Sequence, residues 1–222
     1  MSIIIETTLD GSQTLYVPEM DEHYHSVNGA VQESMHVFIN TGFNHIKKDD
    51  IRVLEVGFGT GLNAYLTLQI ANENNKKVHY TSFELYPLDK EIVSKLNYEK
   101  GDTALSRPVF EELHDCDWNT PARITSTFIL EKINEDFRSA LNLINDKQFD
   151  LIYFDAFSPD KQPEMWTQEI FDSLYKSTSE GGIFTTYCAK GVVRRMLQSA
   201  GYMVERLPGP PGKREMLRAM RG

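Results

Sequence analysis

The spacing of apolar residues changes character near residue 50. Before that point, Ile3 to Thr8 and Gln13 to Val17 are β-prone, and Asp10-Gly11 between them tolerates positive φ, so the chain is expected to open with a hairpin. Pro18 to Asn28 shows no periodicity and reads as irregular. Val31, Met35, Phe38 and Ile39 then recur at helical spacing, and Gly42 can end that helix. From Ile51 onward, short apolar runs alternate with amphipathic ones. Strands are expected over 51–56, 79–85, 123–133, 149–154 and 182–187, and helices over 62–71, 88–96, 167–178 and 192–200. The run Phe149 to Phe154 is almost wholly apolar, as a strand buried on both faces should be. Such alternation predicts a mainly parallel sheet covered by helices. Tyr202 to Leu207 and Met216 to Met220 close the chain as two strands. The stretch between them is too short for a crossover helix, so they should pair antiparallel. Residues 1–50 are therefore expected to form a small N-terminal extension and 51–222 the main α/β domain.

Composition narrows the function classes. The chain has 222 residues, enough for one domain with a sizeable core, and no stretch is long and apolar enough to span a bilayer. The N-terminus lacks the basic region and small-residue cleavage site of a signal peptide. Cys116 and Cys188 lie far apart without a CxxC pattern, so two free thiols in a reducing, cytoplasmic compartment are expected. A net charge of −9 argues globally against nucleic acid as a partner. The distribution tempers that reading, because Thr186 to Gly222 carries eight basic residues against two acidic ones.

The densest chemical signal is Leu54-Glu55-Val56-Gly57-Phe58-Gly59-Thr60-Gly61-Leu62-Asn63, a buried strand entering a glycine-rich turn that opens a helix. A dinucleotide fingerprint requires GxGxxG, and residue 62 is Leu; a P-loop requires Lys-Ser or Lys-Thr, which is absent. Glu84 ends the second strand beside that turn, where an acid can accept from both hydroxyls of a ribose. After the third strand come Glu135 and Asp136, either of which can accept from an adenine amino group, and Phe137, which can stack on the ring; a polar helix cap at Asp136 is the alternative. Asp155-Ala156-Phe157-Ser158-Pro159 leaves the fourth strand at the edge where open α/β sheets place their chemistry. Trp166 either closes a loop over the site or belongs to the core. His23 and His25 have no third ligand in view and read as a surface pair, with no metal site expected.

The pattern E-x-G-x-G-x-G at Glu55 to Gly61 looks like the first motif of class I methyltransferases. Further stretches resemble one family in particular. They are 24–39, Glu55 to Asn63, Ser82 to Leu88, Phe154 to Trp166, Gly191 to Arg195, Ala200 to Tyr202 and Lys213 to Leu217. That family is the methyltransferase domain of the bifunctional (MnmC-type) enzyme completing 5-methylaminomethyl-2-thiouridine at the tRNA wobble position. DAFSPDKQPEMW and KREML are its most specific matching pieces. Ala156 replaces a usual Gly, and Pro210-Pro211 replaces a Phe-Gly-Arg-like approach.

The resemblance implies a Rossmann-like class I fold: a mainly parallel seven-stranded sheet with a final antiparallel strand, plus the N-terminal extension. It implies S-adenosylmethionine held by Glu55, Gly57, Phe58, Gly59, Thr60, Gly61, Asn63, Glu84, Leu85, Asp136, Phe137 and Asp155. Asp155 would be catalytic, orienting a 5-aminomethyl uridine amine in the tRNA anticodon and taking its proton. Phe157 and Tyr187 would wall the base pocket, and Arg194, Arg195, Lys213 and Arg214 would meet phosphates. The flavin oxidase half is expected to be missing, leaving a separate flavin enzyme to supply the amine. Other readings retain the fold with a small-molecule or aminopropyl acceptor, or retain the cofactor pocket without catalysis.

Overall fold

The computed structural model describes residues 2–98, 107–145 and 147–222. Near the N-terminus, β1 (Ile4–Thr7), β2 (Gln13–Val17) and a two-residue β3 (Glu22–His23) form a separate antiparallel sheet. The expected hairpin is present, and β3 adds structure within the segment read as irregular. The helix that follows begins as α1 (Ala30–Ser34) and widens into a π-turn over Met35–Asn40, marked by the Thr41 N–H bonding the His36 carbonyl at 3.3 Å.

The main sheet contains β4 (Asp50–Val56), β5 (Lys77–Phe83), β6 (Ala122–Arg123), β7 (Phe128–Ile133), β8 (Phe149–Phe154), β9 (Thr178–Thr186), β10 (Met203–Pro208) and β11 (Glu215–Met220). Its order is β10-β11-β9-β8-β4-β5-β7-β6. The pairs β4–β5, β5–β7, β4–β8 and β8–β9 are parallel; β11 runs antiparallel to both β9 and β10. The sheet thus has the expected seven strands plus the short antiparallel edge strand β6. The expected strand over 123–133 divides because residues 124–127 turn back, with the Ile124 and Thr125 N–H groups bonding the Phe128 carbonyl.

The helices are α2 (Leu62–Glu73), α3 (Lys90–Val93), α4 (Arg107–Asp115), α5 (Gln168–Ser177) and α6 (Gly191–Ala200). The expected helix over 88–96 shortens to α3, where Arg107 donates to the Val93 and Leu96 carbonyls past its end. Nothing in the sequence reading anticipated α4, although Phe110 and Leu113 bury one of its faces. Phe38, Tyr65 and Tyr153 pack on one side of the sheet, while Phe154, Trp166, Phe171 and Phe184 pack on the other. Each fully buried aromatic contributes on the order of 2–3 kcal/mol. Trp166 is therefore a core residue, 5% exposed, its Nε1–H donating to the Phe157 carbonyl at 2.8 Å.

The chain steps from β4 outward to β5 and β7, then crosses back to place β8 on the other side of β4. That reversal leaves a crevice at the carboxyl ends of the central strands. The ladder continues one residue past the strands there: Gly57 N–H to the Phe83 carbonyl, Asp155 N–H to Val56, and Glu84 N–H to Ile133, each at 3.0 Å. Those bonds carry the glycine turn, Asp155 and Glu84 to one edge.

Candidate active site

At that edge lies a cavity of about 530 Å³, within the usual range for small-molecule sites. The glycine turn forms its floor. Gly57 has φ +97, and a Cβ there would stand 2.7 Å from the Asp155 carbonyl oxygen. Only glycine allows the turn to pass this close to the β8 end. Gly61, also left-handed, precedes the first turn of α2.

Glu84 stands across the floor. Its carboxylate accepts the Gly59 and Tyr86 N–H groups, each at 2.9 Å. Phe137 lines the cavity and packs edge-on against Phe83, with centroids 5.0 Å apart. Glu135 and Asp136 both line it as well, but they differ in what already holds them. Asp136 accepts from the Arg138 guanidinium at 2.9 Å and from the Arg138 backbone at 3.0 Å, which lowers its carboxyl's pKa; Glu135 is exposed.

Asp155 is partly open to the cavity. Burial pushes its carboxyl up to about 7, repulsion from Glu33 adds to the rise, and the Asn63 amide (2.8 Å) and Lys213 oppose it. Beneath the turn, Glu55 is fully buried and accepts from the Ser82 hydroxyl at 2.7 Å. Burial pushes it up to about 8, Asp155 contributes to the rise, and Ser82 opposes it. Glu55, Gly61 and Asn63 do not line the cavity. They shape it from behind: the side chains of Glu55 on β4 and Asn63 on α2 turn into the protein, and Gly61 caps α2 beneath the turn.

The remaining expected residues divide between two places. Phe58, Gly59, Thr60, Leu85, Phe157 and Tyr187 line the cavity with Lys213. Arg214 instead lines a shallower depression outside, which shares Tyr187 and Lys213 with the main cavity. Arg194 and Arg195, on the first turn of α6, line neither.

Several residues at the site were not singled out from the sequence. Tyr24 and Glu33 come from the N-terminal region and line the cavity. His25, expected on the surface, is 8% exposed. Its Nε2 lies 2.7 Å from the Thr60 hydroxyl, while His114 donates to the Thr60 carbonyl at 3.1 Å. Burial lowers both imidazoles to about 4, so two neutral rings brace the glycine turn. Tyr24, His25 and Glu33 all lie in the resemblance stretch 24–39, and that was the available signal.

Comparisons with known proteins agree with this geometry. The family described as S-adenosyl-L-methionine-dependent methyltransferase matches residues 118–222. The tRNA 5-methylaminomethyl-2-thiouridine biosynthesis bifunctional protein MnmC of Aeromonas hydrophila is 31% identical over 221 residues, covering 90% of this chain and 32% of that protein. This chain thus spans about a third of the length of the curated relatives it matches. The crystal structure of MNMC2 from Aquifex aeolicus superposes with a TM-score of 0.81 at 29% identity, covering 98% of this chain and 70% of that one. Spermidine synthase from Thermotoga maritima shares the fold alone, with a TM-score of 0.59 at 14% identity over 99% of this chain and 69% of its own.

The residues present suit the cofactor. The glycine turn leaves its backbone bare against the cavity, since side chains at Gly57 and Gly59 would run into the Asp155 carbonyl and the Tyr24 ring, and the Glu84 carboxylate is fixed beside it by the Gly59 N–H. Phe137 offers an aromatic surface beyond.

Proposed function

We infer that this chain is an S-adenosyl-L-methionine-dependent methyltransferase of the MnmC type, and that it methylates the primary amine of a 5-aminomethyl uridine at the tRNA wobble position; the family match and the likeness to MnmC and MNMC2 support the reading. The observation that carries the reading is Asp155. It is a partly exposed carboxylate, raised to about 7, in the same cavity as the glycine turn and Glu84. A group with that acidity exchanges protons readily at neutral pH, which suits the attack of an amine.

Glu84 would hold the ribose, Phe137 the adenine face, and the bare glycine turn would let the polar end of the cofactor approach the backbone. S-adenosylmethionine, when bound, supplies a methyl carbon activated by the adjoining sulfonium. The protein's work is then placement. Asp155 orients the amine and accepts the proton that its nitrogen loses. Asn63 keeps the carboxylate oriented through the 2.8 Å amide bond. Phe157 and Tyr187 form the walls against which a uracil ring can lie, with Tyr187 held by its hydroxyl bond to the Ala156 carbonyl at 2.9 Å. Holding the reacting atoms in line supplies several kcal/mol of the barrier.

Residues 1–50 act as an extension that closes the acceptor side of the domain. Arg194, Arg195 and Arg214 lie outside the cavity, which suits contacts to the anticodon backbone. A primary amine acceptor must come from an earlier reaction, for which a flavin-dependent enzyme is the proposed source. A tRNA substrate assigns the work to the cytoplasm. The second reading retains the cofactor and uses a small-molecule amine, favoured by the net charge of −9.

The test is methyl transfer from radiolabelled S-adenosylmethionine to tRNA carrying unfinished wobble uridines, followed by nucleoside analysis. Label in the wobble methylaminomethyl nucleoside is expected. Label absent from tRNA but present in a small amine would transfer the assignment to the second reading.

A further inference from the structure

Lys213 was expected at a phosphate, yet its ammonium faces the cavity. It pairs with Glu33 Oε1 at 2.6 Å and lies 3.9 Å from the centroid of the Tyr187 ring. Glu33, 6% exposed on α1, is fixed in turn by the Ser26 N–H at 2.7 Å. The loop carrying Lys213 is held by the bond from its own N–H to the Pro210 carbonyl at 2.9 Å. A cation fixed over an aromatic face and tied to a buried carboxylate is not free to follow a phosphate.

The acceptor chemistry gives this cation a purpose. A primary alkylamine is an ammonium at neutral pH, without the lone pair that attack requires. Asp155 and Glu33 alone would favour that ammonium. A fixed cation beside them offsets one of those charges by like-charge repulsion, and the burial that raises Asp155 also penalises an ammonium, so the two together favour the free amine. We propose that Lys213, tied to Glu33 and laid over Tyr187, is a positioning residue that makes the cavity accept the substrate amine in its uncharged form. This rests on the amine-methylation reading above.

The other titratable groups around Lys213 and the Tyr187 ring beneath it are Glu22 on β3, His25 from the N-terminal segment, Asp155 after β8, and Tyr187 and Cys188 after β9. Burial keeps His25 neutral near pH 7 and raises both Tyr187 and Cys188, so those three carry no charge there. Lys190, paired with Asp160, and Arg214 lie in the outer depression. Glu22, Glu33, Asp155 and Lys213 therefore set the charge around the Tyr187 face of the cavity, and Lys213 is the cation among these four. In the reaction, the nitrogen lone pair forms the new N–C bond, the C–S pair leaves with sulfur, and the resulting ammonium returns one proton to Asp155.

The experiment titrates a ¹³C-labelled aminomethyl group in an anticodon stem-loop bound to the protein, reading its carbon shift by NMR, alongside the pH profile of kcat/KM. With the unaltered protein, the bound amine is expected to titrate about two pH units below the free stem-loop. Lys213→Met should raise that value by about one pH unit and move the acid limb of kcat/KM upward with it. Glu33→Gln should move both downward, and Lys213→Arg should leave them near the parent. Opposite shifts from the two sides of one ion pair cannot come from loosened folding. Lower turnover in Lys213→Met with an unmoved carbon titration overturns the proposal while leaving amine methylation intact. A stem-loop that the unaltered protein neither binds nor methylates overturns the acceptor assignment itself, and this proposal with it.

Discussion

The wall of the cavity built on the glycine turn and the wall opposite it are made of different material. The first is local. Residues 55–63 form one strand–turn–helix unit, and Glu84 reaches it because β5 pairs in register with β4, Val56 opposite Phe83. Its backbone N–H groups are tied to the Phe83 and Phe58 carbonyls and to Glu84, and they keep their places as long as the turn does. The second wall is assembled from Tyr24, Glu33, Asp155, Tyr187 and Lys213, drawn from almost the whole chain. Its polar groups are side chains whose charges depend on one another. One wall stores its function in backbone conformation and the other in electrostatics. Substitutions should therefore fail in different ways on each.

The sharpest separation is Asp155→Ala. Turnover should fall by about 10²–10⁴-fold, while calorimetric affinity for S-adenosylmethionine stays near that of the parent. Equal losses of both would merge the two walls into one. On the other wall, Gly57→Ala forces a Cβ to within 2.7 Å of the Asp155 carbonyl at a φ of +97. Urea unfolding should show a loss of about 2 kcal/mol or more, with cofactor affinity falling alongside. An unchanged affinity would show that the turn's conformation is not what the cofactor reads.

Glu55 lies beneath both walls, and its effect is pH-dependent. Its carboxyl is raised from 4.5 to about 8 in the folded protein. The folded state therefore holds a proton that the unfolded chain releases. The stability from that proton is complete below pH 4.5 and is lost as pH rises through about 8, with a slope of up to about 1.4 kcal/mol per pH unit. Glu55→Gln should flatten that slope in unfolding midpoints collected from pH 5 to 8.5 and be more stable than the parent at the upper end. An unchanged slope would make Glu55 an ordinary ionised carboxylate. The smallest effect belongs to Arg214→Ala. It should weaken tRNA binding uniformly across sequences and reduce the salt slope of log affinity by about one. Loss of discrimination between tRNAs would instead make Arg214 a reader of bases.

The legibility of the molecule follows the same division. The strand at Phe149–Phe154 was readable to the residue, because burial on both faces leaves a run that is apolar except at Asp150. The glycine turn was readable because its backbone demands appear directly as residue types. The helix α4 escaped attention although Val109, Phe110 and Leu113 lie at helical spacing. The short β3 could not be seen, since two residues carry no periodicity and pair only because β2 is already in place. His25 beside His23 looked like surface and proved to be a brace on Thr60, which the distance of 35 residues between them conceals.

The sequence by itself determined the strand–helix alternation, the glycine turn, and the carboxylates that would end up at the sheet's carboxyl edge. Those properties follow from hydrophobic period and from backbone permissions carried by single residues. Only the tertiary structure decided that Glu33 would meet Lys213, that Lys213 would face the cavity rather than solvent, and that Asp155 would titrate near neutrality. The physical reason is that charge interactions depend on distance and desolvation, and residues 180 positions apart acquire both only when the chain has folded.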